Sequence, residues 1–283
     1  MGLKALTAGL LLALLIVLLP ACTSASGVKE EGNLGAPGGT GFMTKTLAAG
    51  DHTRQYSLFV PHAYSPDRRW PVIVFLHGIG EAGSDAQANL TVGLGPEVAK
   101  RARDFPFIVI FAQSTGGWDA DSKAAADVVA TLEQVKKDYS VDADRVVLTG
   151  LSTGGYGTWA IGAKYRPEFS ALVPMCGYSA KESMIPELAK IPVWAFHNSG
   201  DPFVLANSSN WSCNQINKAG GHAKYTEFGA LGHDCWKAAY SDPELFSWML
   251  AQRRTNVTGQ AAAPAVTPSP VRANQGAAVP SPY

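Results

Sequence analysis

The chain has 283 residues, 46% of them hydrophobic, which is enough for one large core or two smaller ones. Its 23 Lys and Arg residues balance 23 Asp and Glu residues, so the formal net charge is zero. Nucleic-acid binders need a cationic surplus and disordered chains usually carry a high net charge, so the balance disfavours both classes. Four cysteines are too few for a small domain built on disulfides.

The N-terminal segment has the pattern of an export signal. Lys4 precedes an apolar run, which predicts a signal peptide over residues 1–21. The sequence Leu-Pro-Ala-Cys at residues 19–22 resembles a bacterial lipobox, so Cys22 is a candidate for lipidation and for the only expected membrane contact. The alternative is a secretory signal cleaved near residues 21–26. Both interpretations predict an exported protein, either in the cell envelope or secreted.

Two further segments have compositions that are unsuited to a packed core. Residues 22–41 are rich in glycine and small side chains, which is typical of a flexible tether. Residues 255–283 hold many prolines and alanines and one charge, which predicts a disordered tail. The folded domain is therefore expected over residues 42–254.

Within this domain, short apolar runs alternate with stretches of helical periodicity. The run Val72–Leu76 is continuously apolar and mostly β-branched, as expected for a strand that is covered on both faces. The predicted strands are 56–60, 72–76, 108–111, 146–148, 171–173, 193–196 and 225–228, and the predicted helices are 123–139, 154–165, 208–219 and 243–252. This alternation predicts an α/β fold with a mostly parallel central sheet and helices on both faces.

A G-x-S-x-G motif centred on Ser152 follows the fourth predicted strand directly and leads into a predicted helix. Such a tight turn strains the serine backbone and lifts its hydroxyl above the sheet, so Ser152 is the predicted nucleophile. Gly150 and Gly154 are expected where a side chain would clash with the neighbouring strand and helix. The alternative, that Ser152 only caps a helix, is disfavoured because suitable catalytic partners follow in the chain.

A catalytic serine needs a histidine, and the histidine needs a carboxylate that fixes its tautomer. In hydrolases with this turn, the order along the chain is serine, acid, histidine. Asp201 follows the sixth predicted strand and His233 follows the seventh, so both lie on the rim where open α/β sheets bind ligands. The rival acids are weaker, because Asp234 adjoins His233 in sequence and Asp242 suits a helix N-cap.

Four separated stretches carry a resemblance to a known family. They are FLHGIGEAGSD at 75–85, DADRVVLTGLSTGGYGTWAIGAKYRPEFSALVPMCG at 142–177, IPVWAFHNSGDPFV at 191–204 and LGHDCWKAAYSDPELFSWML at 231–250. The chain resembles α/β-hydrolase serine esterases of the feruloyl-esterase-like or "predicted peptidase" lineage, which includes carbohydrate esterase family 1 and polyhydroxybutyrate depolymerase-like enzymes. The resemblance implies an α/β-hydrolase fold and an exported esterase. Feruloyl or acetyl esters of carbohydrates, or polyesters, are the implied substrates.

The predicted oxyanion hole consists of the backbone N–H groups of Ile79 and Thr153. Ile79 lies in the glycine turn after the second predicted strand, and Thr153 follows the nucleophile. Thr153 stands where the family often has methionine, which leaves the backbone donor intact. Asn198 and Ser199 replace a more usual Gly-Ala pair in the loop that carries Asp201.

Aromatic side chains near these positions are candidates for the substrate pocket. Trp118, Phe203 and Trp236 would suit an aromatic or sugar-linked ester, and ordinary packing is the alternative for each. Glu81 either contacts substrate or holds the oxyanion loop by hydrogen bonds. No Cys/His cluster in the sequence has metal-ligand spacing, so the expected chemistry needs no metal and no cofactor.

The remaining expectations concern the cysteines and the rival functions. Cys176 is expected to be a buried free thiol, whereas Cys213 and Cys235 are a candidate disulfide in an oxidising compartment. The expected partner is an ester, either small or attached to a polymer, and the sequence leaves the oligomeric state open. Two rival functions remain: a serine peptidase of the prolyl-oligopeptidase type with the same triad, and a non-catalytic lipoprotein that binds a surface glycan or polymer.

Overall fold

The computed structural model describes residues 39–254. The strands are β1 (Gly41–Ala49), β2 (His52–Val60), β3 (Trp70–Leu76), β4 (Ile108–Ala112), β5 (Val141–Leu151), β6 (Ala171–Met175), β7 (Val193–Gly200) and β8 (Ala223–Leu231). The α-helices are α1 (Leu94–Lys100), α2 (Lys123–Asp138), α3 (Thr153–Lys164), α4 (Ile185–Leu188), α5 (Asn207–Lys218), α6 (Cys235–Ser241) and α7 (Pro243–Ala251). The predicted signal peptide, Cys22, nearly all of the predicted tether and the predicted tail lie outside the described residues.

The eight strands form one sheet in the order β1-β2-β4-β3-β5-β6-β7-β8. The six strands from β4 across to β8 are parallel, whereas β2 pairs antiparallel with β1 and with β4. The prediction of a mostly parallel sheet is therefore confirmed. The antiparallel edge comes from the hairpin β1–β2, in which side chains of β1 alternate between half-buried and exposed.

The sheet separates two hydrophobic clusters, so helices cover both of its faces. Along β3, Val72, Val74 and Leu76 belong to one cluster, and Ile73 and Phe75 belong to the other. Helices α2, α3 and α5 contribute to the first cluster, and α1, α6 and α7 contribute to the second. Because helices bury both faces of the central strands, the sequences of these strands are continuously apolar. This continuous apolar pattern is the one from which the strands were predicted.

The loops that follow the parallel strands emerge at one rim of the sheet. The residues singled out as a catalytic set follow β3, β5, β7 and β8, so the parallel topology brings them to the same rim. Strand β5 is longer than predicted and ends at Leu151, directly before the predicted nucleophile. Within residues 39–254, none of the helices has the length and apolar composition needed to cross a membrane.

Candidate active site

The backbone of Ser152 adopts a conformation that non-glycine residues rarely take. It stands between the last residue of β5 and the first residue of α3, with φ 56° and ψ −117°. Its N–H donates a hydrogen bond to the carbonyl oxygen of Met175 over 2.9 Å, which ties the turn to the end of β6. Such backbone strain costs about 1–3 kcal/mol and is found mostly at functional sites.

The two glycines of the motif are required by the close approach of the chain around this turn. A Cβ atom at Gly154 would collide with the carbonyl oxygens of Leu76 and His77 at the end of β3. A Cβ atom at Gly150 would collide with the carbonyl oxygen of Gly154. The clashes expected from the sequence are therefore present, and they involve backbone atoms that cannot move aside easily.

Asp201 and His233 form a hydrogen-bonded pair at the same rim. The Nδ1–H group of His233 donates to Oδ2 of Asp201 over 2.5 Å. The other carboxylate oxygen accepts the backbone N–H groups of Phe203 at 2.9 Å and Val204 at 3.0 Å. Burial raises the pKa of Asp201, but the hydrogen bonds from Val204, His233 and Phe203 outweigh it and hold the pKa below its ordinary value. The carboxylate therefore stays ionised and fixes one tautomer of His233.

His197 also contacts this carboxylate, which the sequence analysis did not predict. Its Nε2 atom lies 2.9 Å from the carbonyl oxygen of Val204 and 3.2 Å from Oδ2 of Asp201. Both neighbours are acceptors, so Nε2 carries the proton and Nδ1 accepts from the Ser209 hydroxyl at 2.8 Å. Burial lowers the pKa of His197, which keeps the ring neutral. The only sequence signal was its position at the end of the strand that leads to the acid.

Two hydrogen bonds connect the loop of the acid to the loop of the histidine. The side-chain amide of Asn198 donates to the carbonyl oxygen of Gly232 at 3.0 Å. The N–H of Gly232 in turn donates to the carbonyl oxygen of Gly200 at 3.3 Å. Asn198 is one of the departures from the family pattern, and its side chain is 2% exposed. This departure therefore adds a buried link next to His233.

Ser152 stands at the same rim of the sheet as this pair but is not hydrogen-bonded to it. The residue that accepts its N–H, Met175, is followed in the chain by Cys176. The Sγ atom of Cys176, a carboxylate oxygen of Asp201 and a ring nitrogen of His233 all lie within 4.8 Å of one another. No hydrogen bond joins the Ser152 hydroxyl to His233 within the described range 39–254. In serine hydrolases without substrate this contact is often long and tightens on binding.

The predicted oxyanion donors, Ile79 and Thr153, each begin a helical turn. Ile79 is the first residue of the 3-10 turn Ile79–Glu81, and Thr153 is the first residue of α3. An N–H group at this position has no partner within its own helix and is free to bind an anion. A Cβ atom added to Gly78 would lie 3.5 Å from Cβ of Ser152, so the first turn adjoins the nucleophile.

Side chains hold the loop after β3 in this position. Glu81 accepts the N–H of Gly78 at 3.1 Å, which favours the loop-holding alternative for this residue. His77 donates from Nδ1 to the carbonyl oxygen of Gly78 at 2.6 Å, and its Nε2 accepts the N–H of Ser114 at 3.0 Å. Burial lowers the pKa of His77, so the neutral ring can make both bonds at once.

The three aromatic side chains predicted for the rim lie in two different environments. Trp118 is 1% exposed, and its indole N–H donates to the carbonyl oxygen of His77 at 2.9 Å. The prediction that Trp118 lines the pocket is therefore wrong, because packing against the loop after β3 removes it from the surface. Phe203 and Trp236 instead flank His233, each with its ring centroid 5.6 Å from the imidazole and in edge-to-face geometry.

One of the two expectations for the cysteines is met and the other is not. Cys176 is a buried free thiol, as predicted. The suggested disulfide between Cys213 and Cys235 is wrong, because Cys213 lies in the cluster on one face of the sheet and Cys235 in the cluster on the other face. Burial raises the pKa of Cys213 to about 12 and raises that of Cys235 as well, so neither thiol ionises readily.

The rival acids have other partners. Asp234 forms an ion pair with Lys237 at 2.6 Å. Asp242 caps α7 by accepting the N–H of Glu244 at 2.8 Å, as its position before a proline suggested. Asp201 is therefore the carboxylate that contacts His233.

Comparison with known proteins gives matches to hydrolases. Residues 115–195 match the prolyl oligopeptidase family. A bifunctional acetylxylan esterase/xylanase, XynS20E of Neocallimastix patriciarum, is 25% identical over 150 residues, which are 50% of this chain and 21% of that protein. A thermostable esterase of known structure is 29% identical with a TM-score of 0.70, covering 75% of this chain and 63% of that one. A ferulic acid esterase shares the fold at 18% identity, with a TM-score of 0.57 over 74% of this chain and 95% of that one.

The fold and these similarities define the class of the protein. The sheet order, the strand-turn-helix serine and the structural relatives are those of the α/β-hydrolase fold, as the sequence predicted. Within that class, the chain resembles esterases and, over residues 115–195, the prolyl oligopeptidase family. It spans only about a fifth of the curated relative and 63% of the thermostable esterase.

Proposed function

We propose that this protein is a serine hydrolase that cleaves carboxylic esters through an acyl-enzyme intermediate. The observation that carries the proposal is the strained turn of Ser152, with φ 56° and ψ −117°, at the rim where Asp201 and His233 are hydrogen-bonded. A serine held in that conformation presents its hydroxyl above the sheet. A helix-capping serine has no need of the strain and would usually take an extended conformation.

In the proposed reaction, Ser152 Oγ attacks the ester carbonyl while His233 takes its proton through Nε2. The ester carbonyl oxygen becomes an oxyanion that accepts hydrogen bonds from the N–H groups of Ile79 and Thr153. His233 then gives the proton to the leaving alcohol, and the acyl group remains on Ser152. Water attacks the acyl-enzyme with His233 as base, which releases the acid and restores the serine. The carboxylate of Asp201 keeps the Nδ1 atom of His233 protonated throughout the reaction.

The choice of esters over amides draws on the relatives. Two of the relatives, the acetylxylan esterase/xylanase and the thermostable esterase, are named as esterases, which supports ester hydrolysis for this chain. We propose feruloyl- or acetyl-type esters of carbohydrates, or polyesters, as the substrate range. The proposed chemistry uses no metal and no cofactor. We also propose that residues 1–21 direct export of the protein and that a lipid on Cys22 makes its one membrane contact.

A serine peptidase is the second candidate, because residues 115–195 match the prolyl oligopeptidase family and include Ser152. The two functions are separated by comparing kcat/KM of the full chain for p-nitrophenyl acetate, methyl ferulate and a peptide anilide. The proposal predicts turnover of an ester at least tenfold above that of the anilide, and loss of that turnover in Ser152→Ala. Preferential cleavage of the anilide would favour the peptidase. A chain that hydrolyses none of them would favour the non-catalytic lipoprotein.

A further inference from the structure

Several large apolar side chains are exposed on the loops around the proposed active site. Six large hydrophobic side chains are exposed among residues 39–254, and five of them lie at or just beyond the carboxyl end of a strand. These five are Ile79, Tyr178, Phe203, Leu205 and Leu231. Exposed apolar side chains that gather on one side of a molecule mark a binding surface. One part of this surface continues into a groove.

The groove lies between the loop after β6 and the start of α5, and it has a volume of about 460 Å³. We call it the Trp211 groove. It is lined by the half-exposed indole of Trp211, the side chain of Leu205 and the polar residues Ser179, Glu182, Asn207 and Ser208. Glu182 is the only ionisable residue in this lining, so the groove offers hydrogen-bond donors and acceptors with little net charge.

Two stretches of chain connect the groove to the proposed catalytic residues. The ring of Phe203 contacts His233, and Leu205, two residues further on, lines the groove. Two residues of extended chain span at most about 7 Å. On the other wall, Ser179 lies three residues after Cys176, whose thiol is close to both Asp201 and His233. The groove is therefore built on the continuation of the two loops that carry Cys176 and Asp201, next to the proposed catalytic residues in the chain.

Buried hydrogen bonds hold both walls of the groove in place. The hydroxyl of Ser212 accepts the N–H of Ala180 at 2.9 Å and donates to the carbonyl oxygen of Ser208 at 2.9 Å. One turn earlier on α5, the hydroxyl of Ser209 donates to His197, which contacts the acid. The same helix thus carries the groove on its exposed side and supports Asp201 on its buried side. A site that is fixed before binding loses little conformational entropy when it binds.

We propose that the Trp211 groove binds a neutral sugar residue on the alcohol side of the scissile ester. The half-exposed indole of Trp211 suits the apolar C–H face of a pyranose or furanose ring. The serine hydroxyls, the Asn207 amide and the Glu182 carboxylate suit its hydroxyl groups. This inference rests on the proposed function, because it assigns the leaving alcohol of that reaction to the groove.

A second groove beside His233 fits a sugar less well. It lies on the Trp236 side of the histidine, with a volume of about 530 Å³. Its lining includes two ion pairs, Lys100 with Glu97 and Lys237 with Asp234, each at 2.6 Å. Because these charged groups already pair with one another, they are less available to the hydroxyl groups of a sugar than the polar groups of the Trp211 groove. The assignment therefore goes to the Trp211 groove.

The test compares two acetate esters that share an acyl group, p-nitrophenyl acetate and acetylated xylotriose. In Trp211→Ala of the full chain, we expect the ratio of kcat/KM for the sugar ester to kcat/KM for the nitrophenyl ester to fall at least tenfold. Trp211→Phe keeps an aromatic face and should recover most of that ratio. Trp248→Ala is the matched control, because Trp248 is half-buried on the opposite face of the sheet and should leave the ratio within twofold. An unchanged ratio in Trp211→Ala overturns the proposal.

Binding of unacetylated xylotriose separates a failure of this inference from a failure of the proposed function. Isothermal titration calorimetry of the wild-type chain with xylotriose needs no turnover. Binding that is lost in Trp211→Ala and kept in Trp248→Ala supports the groove even if neither ester is hydrolysed. Absence of binding at 10 mM xylotriose, together with an unchanged ratio, overturns the groove and leaves ester hydrolysis intact.

Discussion

His197 lies with its Nε2 atom 3.2 Å from Oδ2 of Asp201, the same oxygen that accepts the Nδ1–H of His233. One carboxylate oxygen therefore has a neutral histidine on one side and the proposed catalytic histidine on the other. Because the His197 N–H also donates to the carbonyl oxygen of Val204, it fixes the loop on which the acid stands. His197 thus acts as a positioning residue for Asp201.

We expect His197→Leu to slow acylation of Ser152 about tenfold or more, because Asp201 loses a neighbouring donor and its loop loses a support. His197→Gln keeps an N–H group near the Nε2 position and should recover much of the rate. If His197→Leu lowers only the thermal stability and leaves the acylation rate unchanged, the positioning role is wrong.

The link between Asn198 and the carbonyl oxygen of Gly232 has its own test. Asn198→Ala leaves that carbonyl unsatisfied next to His233, so we expect a loss of about 1–3 kcal/mol in the free energy of unfolding and a lower kcat. Urea unfolding and kcat for an ester are the measurements. Asn214→Ala is the matched control, because the Asn214 amide bonds Asn210 at an exposed position. Equal behaviour of the two variants would contradict the account.

Gly154→Ala should abolish esterase activity and destabilise the chain. The new Cβ atom would collide with the carbonyl oxygens of Leu76 and His77, so either β3 or the turn at Ser152 must move. Overpacking of this kind costs about 1–3 kcal/mol, and a small displacement of a nucleophile costs about 100-fold in rate. Gly229→Ala is the control, since a Cβ atom there has no neighbour within 4 Å. An active Gly154→Ala would show that the turn tolerates a side chain.

The two buried histidines predict how stability depends on pH. Burial lowers the pKa of His77 and of His197 below 6.5, so below that pH the unfolded chain takes up protons that the folded chain does not. The free energy of unfolding is therefore expected to be at its full value above pH 6.5. It should fall as the pH decreases through the lowered pKa values.

Urea unfolding at pH 7.5, 6.5 and 5.5 measures this loss. His52 works in the opposite direction, because its hydrogen bonds to Asp127 and Asp51 raise its pKa. The comparison of wild type with His197→Gln isolates the buried group, and the variant should lose less stability between pH 7.5 and 5.5. An equal or larger loss in the variant would contradict the assignment of His197 as a buried neutral histidine.

The sequence predicted the sheet and the catalytic candidates because both depend on local patterns. Continuous apolar runs mark strands that are covered on both faces, and the G-x-S-x-G turn specifies its own geometry at Ser152. The hairpin strand β1 was missed because its alternating polar side chains face solvent at the edge of the sheet. The alternation of polar and apolar residues in an edge strand is a weaker sequence signal than the continuous apolar run of a buried central strand.

The errors concern relationships between segments that are distant in sequence. Trp118 was expected at the rim, but its indole has a hydrogen-bond partner on the loop after β3 and is buried there. Cys213 and Cys235 flank the same strand in sequence order, yet helices α5 and α6 lie on opposite faces of the sheet. The contact of His197 with Asp201 depends on the path of the chain over residues 198–204. Spacing alone does not report such distances.

The central claim is that Ser152 is a nucleophile activated by His233. It is tested most directly by treating the full chain with a fluorophosphonate, which modifies activated serines, and locating the adduct by mass spectrometry. We predict a single adduct on Ser152. The adduct should be absent in Ser152→Ala and should form more than about 100-fold more slowly in His233→Ala and in Asp201→Asn. An adduct on another residue, or labelling that persists in Ser152→Ala, would contradict the assignment.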